Sequence, residues 1–168
     1  FRIRDLREEL RIANQKLADL SITDDLTGLY NMRSMYERVD YEIKRANRSG
    51  RFVACVMMDM DHFKSVNDGH DHLFGSFVIK EMGLILSKTL REVDFAARYG
   101  GDEFLIVLTE TDEQGVITFC NRLCQIVRSH TFRDGNYEIR LTLSLGYSIG
   151  SPGFDYSARE LVRTADHA

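Results

Sequence analysis

The sequence predicts an α/β sandwich, with helices packed on a mostly antiparallel sheet behind an N-terminal helical stalk. Three observations predict it. Segments with apolar residues at helical spacing alternate along the chain with short, β-rich apolar runs. Two of those runs are joined by Gly100–Gly101, a hairpin signal that sets neighbouring strands antiparallel. The first twenty residues carry a narrow apolar seam unlike anything downstream.

That seam is Ile3, Leu6, Leu10, Ala13, Leu17 and Leu20, spaced 3, 4, 3, 4, 3. The positions between are mostly charged or polar, and the narrow stripe fits a two-stranded coiled coil; the alternative is an amphipathic helix packed on its own domain, which normally needs a wider apolar face. Asn31 caps a helix running to about Ser49, with Met35, Val39 and Ile43 on its inner side. Phe52–Met60 is an apolar run that ends in acidic residues, the pattern of a buried central strand. Residues 61–71, dense in Asp, His, Asn and Gly, read as a loop. A helix follows over Leu73–Leu90, then strands over Asp94–Arg98 and Glu103–Leu108. A helix over about 112–130, one alternating strand from Tyr137 to Ile149, and a last helix from Ser157 complete the order. Residues 1–22 thus form a stalk and 23–168 one domain.

The 168 residues are 43% hydrophobic and 29% charged, the balance of an ordinary globular domain. A net charge of −4 excludes a general polyanion binder, so no nucleic-acid partner is expected and any nucleotide must be held by local groups. The longest apolar run, Phe52–Met58, is too short to span a bilayer, and no membrane contact is expected of this segment. Opening at Phe1 without a Met, the sequence reads as a piece of a longer chain. Cys55 lies in an apolar run, and Cys120 and Cys124 share a helix face without further ligands nearby; all three read as reduced core thiols of a cytoplasmic protein.

Two acidic clusters stand out. Asp59 and Asp61 close the central strand, and Asp102 and Glu103 follow the glycine turn. Carboxylates at the ends of apolar strands are costly unless paired or bound to a cation. If the hairpin lies beside the central strand, Asp59, Asp102 and Glu103 share one site, suited to Mg²⁺ or Mn²⁺. The alternative is an acidic turn beside an unrelated acidic loop. Gly100 and Gly101 leave room for a substrate against the backbone. Lys64, just past the acidic strand end, suits phosphate oxygens, as do the free N–H groups expected at the start of the helix from Leu73. His70 and His72, with Asp68 and Asp71, fit no zinc spacing and read as loop and cap residues.

These residues carry a resemblance. R-Y-G-G-D-E-F at 98–104 resembles the signature of the GGDEF family, the diguanylate cyclases. D-D-L-T-G-L-Y-N at 24–31, D-M-D-H-F-K-S-V-N-D at 59–68, L-S-L-G at 143–146 and A-D-H-A at 165–168 resemble further motifs of that family, in order. The resemblance implies a palm-like nucleotidyl cyclase domain that condenses two nucleoside triphosphates into a cyclic dinucleotide in the bacterial cytoplasm. It implies that Asp59, Glu103 and the backbone carbonyl of Met60 hold two divalent cations per half-site, with Asp102 a further ligand or a base. Lys64 and the amides near Phe63 would take the terminal phosphates, and Asn67 the base. One domain holds one triphosphate, so the family works as a homodimer, a task the stalk suits. R-E-V-D at 91–94 resembles the family's inhibitory product site, in which Arg91 and Asp94, with Arg122, would bind the cyclic dinucleotide.

The sequence departs from the family pattern at two loop positions. Asp71 replaces a glycine, and Ser76 replaces the aspartate that reads guanine. A carboxylate accepts from both donors on guanine's Watson–Crick edge and faces the adenine N1 lone pair unfavourably, whereas a hydroxyl donates or accepts. Ser76 therefore resembles the hybrid promiscuous (Hypr) subgroup, which implies GTP and ATP as substrates and 3′,3′-cyclic GMP-AMP as product. The last helix ends at Ala168, short of the family's final phosphate-contacting Lys and Arg.

Overall fold

A computed structural model describes residues 2–168; Phe1, the first residue of the stalk, lies outside them. The elements are α1 (Arg2–Leu20), α2 (Met32–Ser49), β1 (Val53–Met60), α3 (Phe63–Gly69), α4 (His72–Thr89), β2 (Phe95–Arg98), β3 (Glu103–Thr109), α5 (Glu113–Ser129), β4 (Phe132–Asp134), β5 (Tyr137–Ile139), β6 (Leu143–Gly150) and α6 (Ala158–His167). Four strands form one sheet in the order β2-β3-β1-β6, and each neighbouring pair is antiparallel.

β1 is central because its side chains are apolar on both faces. Ala54, Val56, Met58 and Met60 pack with Phe74, Val78 and Met82 of α4 and Val116 and Leu123 of α5. Val53, Cys55 and Met57 face the other way, against Met35, Val39 and Ile43 of α2 and Leu161 and Val162 of α6. Strand alternation puts Asp59 on this second side, at the end where the apolar run stops. Asn31 caps α2 by accepting from the Ser34 N–H, and Gly50, at φ 66°, ends it in the left-handed conformation that glycine adopts without cost. Ser157 and Glu160 close a capping box on α6.

Two local expectations are corrected. Part of the predicted loop over 61–71 is the helix α3. Its Ser, Asn, Asp and Gly content is poor helix material, and it forms because Phe63 and Val66, one turn apart, are buried in the core. The single strand predicted from Tyr137 to Ile149 is two: β5 pairs with the unpredicted β4 around a Gly135–Asn136 turn, and β6 alone joins the main sheet. Gly135, at φ 58°, supplies the left-handed residue such a turn requires.

α1 is a single helix with no buried residue, and Ile3, Leu6, Leu10, Leu17 and Leu20 are all exposed. It joins the domain through a gripped junction. The Asn31 side-chain amide donates to the Ser21 carbonyl at 2.8 Å, and the Ser34 hydroxyl donates to the Ile22 carbonyl at 2.5 Å.

Candidate active site

The β1–β3 register puts Asp59 directly opposite Glu103. Strands paired this way hold opposed side chains on one face, so the two carboxylates stand together at the open end of the sheet. Asp102 joins them from the turn, its charge acting on both Asp59 and Glu103. Partial desolvation at the strand end, then the Asp102 charge, push the Asp59 carboxyl above its ordinary range. Glu103 is pushed up by desolvation and then by Asp59, Asp102 and Asp166.

The turn that carries these groups is tightly held. The backbone N–H groups of Tyr99 and Gly100 both donate to the Glu103 carbonyl, at 2.9 and 3.2 Å. Arg98 wraps its guanidinium over the turn, donating from Nε to the Gly100 carbonyl at 3.1 Å and from Nη2 to the Gly101 carbonyl at 3.0 Å. Its Nη1 reaches Asp24 at 3.3 Å. Asp24 begins a turn whose far end, Tyr30, is zipped onto β2: Tyr30 N–H donates to the Ala96 carbonyl and Arg98 N–H to the Tyr30 carbonyl. A side chain at Gly100 would press on the Glu103 carboxylate, and at Gly101 it would meet open space.

The donor set is all oxygen and anionic, which fits a hard divalent cation. Among the described residues no three Asp, Glu, His or Cys side chains close a cage by themselves. Mg²⁺ and Mn²⁺ take one or two carboxylates and complete their shell with water and substrate phosphates.

The two aspartates that close the central strand are held differently. Asp61 turns the other way, to β6, accepting from the hydroxyls of Thr142 and Ser144, both at 2.6 Å. Those two donors hold its carboxyl below the usual range. One correction concerns α4. Its N-terminus is not open to phosphate, because Asp71 caps it, accepting from the Phe74 N–H at 2.7 Å.

α3 gathers the remaining loop residues. Phe63 is its first residue and is buried, Lys64 is exposed, and Asn67 is half-buried. The Asn67 amide lies so close over Gly75 of α4 that any side chain at Gly75 would collide with it. Ser76, the next residue of α4, is half-buried.

On the far side of β3, Arg91 forms a two-pronged pair with Asp94, Nε to Oδ2 at 2.8 Å and Nη2 to Oδ1 at 3.0 Å. Arg91 also donates to the Thr109 carbonyl at 2.7 Å, and the Thr109 N–H donates to Asp94 at 3.0 Å. The Asp94 side chain is 2% exposed and that of Arg91 52%. Both line a cleft of about 300 Å³ with Arg122, which donates to the Thr89 carbonyl at 3.3 Å.

Sequence reasoning passed over three groups here. Asp24 and Arg98 were seen only within motifs; a basic residue before a glycine turn is the signal for such a clamp. Asp166 belongs to the last turn of α6, which lies over Gly146 of β6 through the Ala165 carbonyl, and its charge acts on both Glu103 and Tyr99. No spacing in the sequence ties it to the hairpin.

The family described as diguanylate cyclase, GGDEF domain, matches residues 21–168. The chain is 33% identical over 150 residues to the response regulator PleD of Caulobacter vibrioides, covering 88% of this chain and 33% of that protein. The structure of diguanylate cyclase SiaD of Pseudomonas aeruginosa, in complex with its activator SiaC, is 36% identical with a TM-score of 0.81, covering 99% of this chain and 64% of that one. The coiled coil and GGDEF domain of DgcB from Caulobacter crescentus, in complex with c-di-GMP, is 26% identical with a TM-score of 0.81, covering 99% and 90%. The chain spans 20% to 33% of the length of the first curated relatives it matches.

Proposed function

This chain belongs to the family of diguanylate cyclase GGDEF domains, and on that basis we propose that it condenses two nucleoside triphosphates into a 3′,3′-cyclic dinucleotide. The observation that carries the reading is the cross-strand pair Asp59–Glu103 with Asp102 beside it, at a turn of two glycines. A cyclic-dinucleotide receptor has no use for three repelling carboxylates at an open sheet end, so a non-catalytic binding module is the weaker alternative.

Asp59, Glu103 and the backbone carbonyl of Met60 would hold Mg²⁺ or Mn²⁺, two ions per half-site, with Asp102 a further ligand or the base near the 3′-hydroxyl. Bound there, the ions neutralise phosphate charge and acidify the attacking hydroxyl. Lys64 and the Phe63 N–H, one of the amides without an acceptor inside α3, take the terminal phosphates. Gly100 and Gly101 let the nucleotide lie against the turn. Each 3′-oxygen bonds to the α-phosphorus of the other triphosphate as the bond to the β-phosphate breaks; pyrophosphate leaves and the hydroxyl proton passes to Asp102 or water. One domain holds one triphosphate, so two copies face each other through the α1 seam. The product returns to Arg91, Asp94 and Arg122 as an inhibitor.

Base choice rests on Asn67 and Ser76. With a hydroxyl in place of a carboxylate at Ser76, the site takes adenine as well as guanine, and GTP with ATP gives cyclic GMP-AMP. The DgcB structure, described as a complex with c-di-GMP, supports a second reading in which two GTP give cyclic di-GMP. Equimolar ATP and GTP with magnesium decide between them. Cyclic GMP-AMP in the product mixture supports the Ser76 reading, cyclic di-GMP alone overturns it, and no cyclic dinucleotide overturns the cyclase.

A further inference from the structure

We propose that Asp61 is a positioning residue for α3, clamping the end of β1 to β6 so that Phe63, Lys64 and Asn67 meet the nucleotide in fixed register; the proposal rests on the cyclase reading above. β1 and β6 pair as far as Met60 and Leu143. Asp61 extends the pairing beyond the strand, donating its N–H to the Thr142 carbonyl at 3.0 Å. Its carboxylate then spans two residues of β6 and its lead-in, taking the hydroxyls of Thr142 and Ser144 at 2.6 Å each. Three hydrogen bonds therefore converge on one residue at the point where the chain leaves the sheet.

The next residue explains why the clamp is there. His62 is left-handed, at φ 58° and ψ 25°, and offers no side-chain cap to α3. A non-glycine residue held this way costs about 1–3 kcal/mol and persists only where its surroundings over-determine it. On one side the surroundings are the Asp61 clamp. On the other they are the buried Phe63 ring and the Ser65 N–H, which donates to the His62 carbonyl at 3.0 Å. The reversal at His62 sets where α3 begins, and so where the Phe63 amide and Lys64 point. The Asp61 carboxylate is taken up by two hydroxyls, while its charge still acts on Asp59.

The test removes the donors and leaves Asp61 in place. In the full chain, Thr142→Val with Ser144→Ala should raise KM for GTP by about tenfold, with the magnesium concentration for half-maximal rate unchanged and the fold retained by circular dichroism. Thr142→Ser with Ser144→Thr, which keeps both hydroxyls, should restore KM. Asp61→Asn, which keeps the shape but weakens both bonds, should fall between. Unchanged KM in the double variant overturns the proposal. So does a raised magnesium requirement in Asp61→Asn without one in the double variant, since that marks a cation ligand. Should the double variant not fold, Ser144→Ala alone carries the same comparison. Calorimetry with a non-hydrolysable GTP analogue separates the two readings. No binding by the unaltered protein overturns the cyclase and the clamp together, whereas equal binding by the unaltered protein and the double variant overturns the clamp alone.

Discussion

Arg98 and Asp24, seventy-four residues apart in sequence, form an ion pair at 3.3 Å while the same guanidinium holds the carbonyls of Gly100 and Gly101. The turn bearing Asp102 and Glu103 is thus tied to the segment that enters from the stalk. Asp24 also accepts from the Thr27 N–H and hydroxyl, at 2.9 and 2.7 Å, which fixes its own position.

Asp24→Ala should therefore lower kcat by about ten- to a hundred-fold, the cost of misplacing reacting groups by an ångström or so. KM for GTP should move by no more than about twofold, because the proposed phosphate and base contacts lie on α3 and α4. Steady-state kinetics at saturating enzyme dimer checks this, and an unchanged kcat would show that the hairpin holds itself.

Asp59→Asn and Glu103→Gln should each abolish product formation, a loss of about a thousandfold or more. Each should also stabilise the cation-free protein. Both carboxyls sit above their ordinary range when folded, so the folded state is the more willing to be protonated. Stability linked to them is full in acid and is lost as pH rises through the folded values. At pH 7 either variant should raise the thermal midpoint by about 1–3 °C, an advantage absent at pH 3. Magnesium should raise the midpoint of the unaltered protein and not that of the variants. A lower midpoint for both variants at pH 7 would contradict the repulsion.

Ser76→Asp should shift the product of an ATP–GTP mixture from cyclic GMP-AMP towards cyclic di-GMP, by about 10- to 150-fold in base selectivity, the worth of one well-placed charged hydrogen bond. Turnover with GTP alone should persist, since no metal or phosphate group is touched. A product ratio equal to that of the unaltered protein would assign base choice to Asn67 or another group.

Arg91→Ala and Asp94→Ala should part company. Asp94 is buried and takes the Thr109 N–H as well as Arg91, so its loss should cost about 1–3 kcal/mol of stability. Arg91 is half in solvent, and its replacement should relieve product inhibition with initial rates within about twofold and a smaller loss of stability. Calorimetric binding of cyclic di-GMP together with thermal unfolding reads both effects, and undiminished binding by Arg91→Ala would remove the inhibitory site from the cleft.

The sheet and its main helices were legible because their signals are local. β1 is one apolar run, β2 and β3 flank a glycine pair, and Asn31 and Ser157 announce the helices they cap. α3 was not legible, because what makes it helical is the core that Phe63 and Val66 enter rather than its own residues. β4 and β5 were hidden by their brevity, although Gly135–Asn136 is a fair turn signal. At the site, the meeting of Asp59 with Glu103 followed from one assumption about strand order, and the strand order bears it out. The turning of Asp61 towards Thr142 and Ser144 did not follow, since eighty residues separate the partners and only the β1–β6 register joins them.

The gripped junction at residues 21–23 makes the stalk a gauge of phase. Asn31 and Ser34 seize the carbonyls of Ser21 and Ile22 as soon as α1 ends, so no slack absorbs a rotation of the helix before it reaches α2. Each residue of an α-helix advances by about 100°. Seven residues added to α1 would return the seam to within about 20° of its starting direction, while two would swing the domain through about 200° and face its carboxylates away from a partner's. In the proposed dimer, the facing of two domains on such a stalk is written as a residue count: an angle stored in a length.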